Sequence, residues 1–397
     1  MKKAIGLALV MLMTSVVAAS AQGAHKVAAS AASSQSISCS STMTIPFLTP
    51  LTGGAGFLGT EQASWAKYAV QTLPAKYGLK VKLALGDTPV EQGPAPAQAL
   101  AQKYISDKSV VAILGPSTSG DAAATAKPFF AAGLAAISPS ATHTDLTIGT
   151  AADPLVGTPA FFRDVPGDYI QGPTDARFML TKLKVKNVVT MDFQEPYSVG
   201  LSGAVDQVLK KAGVNVTHLS APNTTTDYSA YVTKVPNNAD VVFFPTQKPG
   251  DAQTFAQQLL EQGKKAKVFG GDGSNDPTQF KVPGSYVSNF AAPINLFAYN
   301  KPVIAGWMKA NPGKPLGSFG PPTYGAIQII LQAVKLTCAQ HHGVIQRRDV
   351  FRNMKKVKIK NFILGGNFAF STKTNDPLNA KFTIFQIQSN GSYKVVQ

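Results

Sequence analysis

A loop reading Gly115-Pro116-Ser117-Thr118-Ser119-Gly120-Asp121 follows a β-branched run and leads into an alanine-rich stretch with helical character. Hydroxyls and free backbone N–H groups at a helix start form an anion cradle, because the unpaired donors and the helix dipole both favour negative charge. The spacing of Gly115 and Gly120 fits a phosphate loop, but Asp121 stands where that motif requires lysine, so a carboxylate suits the loop better than a triphosphate. One strand later, Ile137-Ser138-Pro139-Ser140-Ala141-Thr142, with Asp145-Leu146-Thr147 behind it, offers more hydroxyls at the carboxyl end of a strand. Ligands bind at that end in open α/β sheets. Farther along lie Glu195-Pro196-Tyr197 and Gly270-Gly271-Asp272-Gly273. An aspartate flanked by glycines can approach a ligand closely and pair with an amine. Asp272 opposite Ser119 and Thr142 would clamp a zwitterion, although each loop read alone is also ordinary turn chemistry.

Catalysis finds little support. The chain has no Gly-x-Ser-x-Gly elbow, no His-Glu-x-x-His and no Gly-x-Gly-x-x-Gly after a strand. Its four glutamates, Glu61, Glu91, Glu195 and Glu261, indicate no paired-carboxylate hydrolase. His341 and His342 near Cys338 read as a solvated helix end rather than a metal site, so neither metal nor cofactor is expected.

The elements that must position these loops alternate. Strands are predicted at 44–48, 79–85, 110–114 and 135–138, with helices at 60–73, 95–106 and 118–132 between them. A second series opens with a strand at 161–163, followed by helix 169–183, strand 187–191, helix 198–212 and strand 214–219. It continues with helix 228–235, strand 240–244, helix 252–262 and strand 267–270. Helices at 302–310 and 323–336 and a short basic helix precede a terminal hairpin, 382–388 with 393–396, turning at Ser389-Asn390-Gly391. This order predicts parallel sheets covered on both faces, in two lobes.

The chain has 397 residues, 44% hydrophobic and 15% charged, which excludes a disordered chain or a coiled coil. Residues 1–21 read as a secretory signal: Lys2 and Lys3, an apolar run too short to span a bilayer, and small residues at Ala19-Ser20-Ala21. Its removal leaves 35 basic against 21 acidic residues, about +14. Export argues against a nucleic-acid partner. So does the scatter of the cations, apart from a run from Arg347 to Lys360 that lacks a stacking platform. Residues 22–42, rich in Ala and Ser, read as a flexible leader. In an oxidising compartment Cys39 could pair with Cys338; two unpaired thiols are the alternative, and spacing does not choose.

With these residues assembled, the sequence resembles the type I periplasmic solute-binding proteins, in the branched-chain amino acid receptor branch that serves ABC importers. The resemblance rests on residues 50–53, the 115–120 loop, 137–142 with Leu146-Thr147, Phe162-Arg163 and Gln171-Gly172-Pro173. It rests also on Pro196-Tyr197 with Gly200, Asp227-Tyr228-Ser229, residues 270–273, and Tyr324 with Ala326. It implies an α/β fold of two doubly wound parallel-sheet lobes joined by a three-segment hinge. Lobe one would comprise 43–164 and 293–362, lobe two 165–292 and 363–397.

By motif match, Ser119, Ala141 and Thr142 would take a carboxylate, Asp272 an ammonium, and Tyr197 would close over the ligand. Phe57-Leu58 stand where the family often carries a polar aromatic, and Gln247-Lys248 where it carries an aromatic, which leaves the side-chain specificity open. The resemblance implies a monomeric, non-enzymatic, exported receptor that binds an amino acid by hinge closure and meets a membrane permease. Receptors for amides, urea or aromatic acids, and a soluble ligand sensor, are the alternatives.

Overall fold

The computed structural model describes residues 36–148 and 161–397. The expected signal and most of the leader therefore lie outside the described residues. A five-stranded, wholly parallel sheet runs in the order Lys80–Asp87, Thr42–Thr49, Ile113–Leu114, Ala136–Ser138, Phe161–Arg163. A seven-stranded sheet runs Tyr393–Val395, Thr383–Ile387, Tyr286–Asn289, Lys267–Gly270, Val241–Phe243, Asn187–Asp192, Asn215–Ser220. In it, only the pairings made by the C-terminal hairpin are antiparallel.

Both sheets are covered on two faces, as short crossover connections require. In the first, Ile45 and Phe47 pack with Trp65 of helix Gly56–Thr72 and with helix Gly320–Gln340. Leu48 and Ile113 face Ala101 and Phe129 of helices Ala95–Ser106 and Ser119–Ala131. Trp65 stacks on Trp307, with ring centroids 4.7 Å apart. In the second sheet, Met191, Val242 and Val268 bury Phe255 of helix Pro249–Glu261. The other face takes Leu201 and Val205 of helix Pro196–Lys211 and Ala176 of helix Asp168–Phe178.

Four features depart from the sequence reading. The strand Phe161–Arg163 does not open the second series but closes the first sheet, paired with Ala136–Ser138. The strand Tyr286–Asn289 is central in the second sheet and was not anticipated. The hairpin of Lys358–Ile359 with Phe368–Ala369 spans the boundary expected at 362, and Phe368 and Phe370 pack in the first lobe's core, so the third crossing falls after them. The end of the leader is ordered: Ser36–Ser38 pairs antiparallel with Val344–Gln346. Cys39 is joined to Cys338 by a disulfide across 299 residues of sequence.

The chain passes between the sheets three times, and a buried ion pair joins two of the passages. The Arg163 guanidinium donates to Asp376 Oδ1 (2.5 Å), Thr147 Oγ1 (2.6 Å) and the His143 carbonyl (2.8 Å). The Asp376 carboxylate also accepts from Thr147 and from the Tyr169 hydroxyl. Arg163 is wholly buried and Asp376 is 1% exposed, so each charge depends on the other.

The disulfide closes a long loop and should stabilise chiefly by restricting the unfolded chain. Replacing both Cys39 and Cys338 with serine is expected to lower unfolding free energy by about 2–4 kcal/mol. A urea transition at an unchanged midpoint would contradict this.

Candidate ligand cleft

Buried Gln62 fixes the two hydroxyl loops of the first lobe. Its Oε1 accepts from Thr49 (2.9 Å) and Ser117 (2.6 Å), and its Nε2 donates to Ser140 (2.9 Å). Ser140 in turn donates to the Ser117 carbonyl, and Ser138 to the Pro116 carbonyl. Nothing in the sequence reading pointed to Gln62; its only signal is a polar residue on the inward face of an otherwise apolar helix.

Ser119 begins helix Ser119–Ala131 and is 2% exposed; its hydroxyl accepts the N–H of His143 at 3.3 Å. Ala141 donates its N–H to Ser138 Oγ, and its carbonyl faces the Arg163 guanidinium. Thr142 is completely buried, and its carbonyl accepts the N–H of Asp168 at 2.8 Å. The Thr142 hydroxyl lies close enough to lower the pKa of Asp168, though without a hydrogen bond of good geometry.

Across the cleft, Tyr197 sits in the first turn of helix Pro196–Lys211. Glu195 caps that helix, its carboxylate accepting from the N–H groups of Tyr197 (2.9 Å) and Ser198 (2.8 Å). The Tyr197 hydroxyl donates to Asp272 Oδ1 and accepts from the Gly273 N–H, both at 3.0 Å. A Cβ on Gly271 would lie 2.2 Å from that hydroxyl, so glycine is needed for the close approach. Gln247 donates to Glu195 at 3.1 Å. Phe57 is not with these residues: it packs edge-on against Phe319, in an apolar cluster with Leu58, Val165 and Phe290.

The structure also brings in acids that the sequence reading did not select. Asp168, Gln171 and Asp175 lie at i, i+3 and i+7 of one helix, all buried. Ser288 links them, accepting from Gln171 (2.9 Å) and donating to Asp175 (3.1 Å). Burial pushes Asp168 up to about 8, helped by the negative field of Asp272. It pushes Asp272 to about 6 against the hydrogen bonds of Gln171 and Tyr197, and Glu195 to about 7 against its capping N–H groups. Asp175 is raised as well. Arg163, the cation whose field reaches Asp168, is engaged by Asp376.

The lobes meet. The His143 ring lies where a side chain on Gly200 would be, 2.4 Å from an added Cβ, and Lys248 packs over Gly54. Between the lobes is a cavity of about 200 Å³ lined by Thr118, Gly120 and Asp121 on one side and by Glu195, Gln247 and Lys248 on the other. Lys248 reaches Asp251 (2.8 Å) and the Asn223 carbonyl. The arrangement offers hydroxyls and loop backbone from one lobe, and carboxylates with a phenol from the other.

Acids held above their ordinary pKa bind protons more tightly in the folded than in the unfolded chain. Their contribution to stability is complete below the unfolded values near 4 and lost as pH rises through the folded ones. The ligand-free protein is therefore expected to melt at progressively lower temperature from pH 5 to pH 8.5, and Asp168→Asn to flatten that slope. A slope unchanged in the variant would show that Asp168 titrates normally. Gly200→Leu is expected to obstruct closure while leaving the fold intact, seen as a larger radius of gyration by X-ray scattering; unchanged scattering would contradict it.

Comparison with known proteins agrees with this architecture. The chain is 27% identical over 285 residues to the Leu/Ile/Val/Thr-binding protein of Salmonella typhimurium, a match covering 70% of this chain and 75% of that one. Its fold matches a leucine binding protein of Thermotoga maritima (TM-score 0.78, 21% identity, 89% and 98% covered). It also matches a solute binding protein of R. palustris in complex with benzoate (TM-score 0.76, 18% identity, 90% and 96% covered). Residues 42–392 match the family model described as periplasmic binding protein, and the chain belongs to that non-enzymatic family.

Proposed function

We propose that this chain is the exported solute receptor of an ABC importer, and that it closes on an amino acid of the branched-chain or a related type. The observation that carries the reading is the pair of buried acids Asp168 and Asp272, close enough to feel each other's field, with no lysine or arginine in an ion pair with either among the described residues. An unpaired buried carboxylate is costly. A ligand ammonium would relieve that cost, and Tyr197 already orients Asp272 for it. The ligand carboxylate would meet the Ser119 hydroxyl and the N–H and hydroxyl of Thr142, the latter turning from Asp168, while the Ala141 N–H stays with Ser138. Charge-assisted contacts to both lobes supply the differential binding that closure requires.

Lys248 in the cavity wall favours a second reading, an anionic ligand such as an aromatic acid, as in the benzoate-bound structure. That reading leaves Asp168 and Asp272 uncompensated. Export fits the Cys39–Cys338 disulfide, and no helix among the described residues is long and apolar enough to cross a membrane.

A thermal-shift screen of the chain against amino acids, their amides, urea and aromatic acids tests the assignment. The melting temperature is expected to rise with an amine-bearing amino acid, and Asp272→Ala to weaken that ligand at least tenfold with little effect on unliganded stability. A response to benzoate alone, retained by Asp272→Ala, would favour the anionic reading.

A further inference from the structure

A cavity larger than the one in the cleft lies apart from it. A groove of about 870 Å³ runs along the three crossings between the lobes, and no residue lines both it and the cleft cavity. Its walls come from the first crossing (Asp164), the second (Phe290) and the third (Leu378, Phe382), with Phe297 and Phe362 added from the first lobe. Asp164 borders it and is 2% exposed, its carboxylate oxygens are buried, and neither meets a donor from another residue among the described residues. Helix Gly320–Gln340 passes it at Gly325, where an added Cβ would lie 2.8 Å from Asp164 Oδ2. Lys381, exposed at the rim, forms no ion pair with it among the described residues. Burial holds the Asp164 carboxyl well above the usual carboxylate range.

An aromatic groove bordered by one uncompensated carboxyl has the chemistry of a site for a small hydrophobic cation: rings for the apolar body, and an acid for the charge. We propose that this groove is a second binding site, for a small apolar amine, and that its occupant biases the angle between the lobes. The second half of the proposal rests on the hinge-closure reading, because walls drawn from all three crossings keep their spacing in only one arrangement of the lobes. A ligand that fits one arrangement better than the other shifts the balance between them, and linkage makes the effect mutual with the cleft.

The test is calorimetric titration of 2-phenylethylamine into the Asp272→Ala protein, in which the cleft acid is removed. Saturable binding is expected, at least tenfold weaker for 2-phenylethanol, which has no charge. Asp164→Asn is expected to weaken the amine at least tenfold. Leu378→Lys, a change at an exposed rim position, should do the same and does not depend on how the protein tolerates a buried substitution. Undiminished affinity in either variant, or equal binding of the alcohol, would overturn the site. In the unsubstituted protein, 2-phenylethylamine is expected to change the affinity of the cleft ligand at least threefold. A saturable site without that change would overturn the coupling alone. If no amino acid binds the cleft, scattering with and without the amine reads the lobe angle instead, so the site is judged apart from the cleft assignment.

Discussion

The structure turns on one buried ion pair. Arg163 ends the last strand of the first sheet and holds the carbonyl of His143, the hydroxyl of Thr147 and, at longer range, the carbonyl of Ala141. These contacts span the loop that carries Thr142. Asp376, on the returning chain, holds Arg163. One guanidinium thus fixes a candidate ligand loop and fastens two of the three inter-lobe passages. A lone charge at either position would cost far more than the pair contributes, so the contact enforces an arrangement more than it adds stability.

Around this anchor the two halves of the cleft are built differently. The first lobe's loops are braced by neutral hydrogen bonds converging on Gln62, none of which uses the Thr142 hydroxyl. The second lobe presents carboxylates braced by donors: Asp272 by Tyr197, Asp175 by Ser288, Glu195 by the helix it caps. The first half offers hydroxyl and N–H donors, and the second a cluster of acids held above their ordinary range by burial. That asymmetry carries the functional reading further than any single residue does.

Much of the fold was legible because the alternation of β-branched runs with amphipathic stretches is a local pattern. Ala95–Ser106 and Lys267–Gly270 fall where periodicity puts them. Tyr286–Asn289 escaped because it is short, ends in Ser288 and Asn289, and follows a Pro-Gly turn; its place in the sheet comes from neighbours on both sides. Ser36–Ser38 has only three residues in a small-residue stretch and owes its strand to a partner some 300 positions away. Of the candidate site, the loops near Ser119, Thr142, Tyr197 and Asp272 were readable from hydroxyls and glycines at strand ends. The acids on helix Asp168–Phe178 were not, since polar residues spaced by a helical turn read equally well as a solvent face; only packing against Ser288 reveals them as interior. Arg163 and Asp376 are 213 positions apart, a distance over which no local pattern operates.

The bond between Cys39 and Cys338 imposes an order on biogenesis. Cys39 leaves the ribosome 299 residues ahead of its partner, so while most of the polypeptide is being made its thiol has no correct mate. With no third cysteine in the chain, it cannot be captured by a wrong one within the same molecule. A two-cysteine composition thereby spares the emerging protein any need for disulfide reshuffling, and makes the closing of this bond a late record that synthesis has passed Cys338.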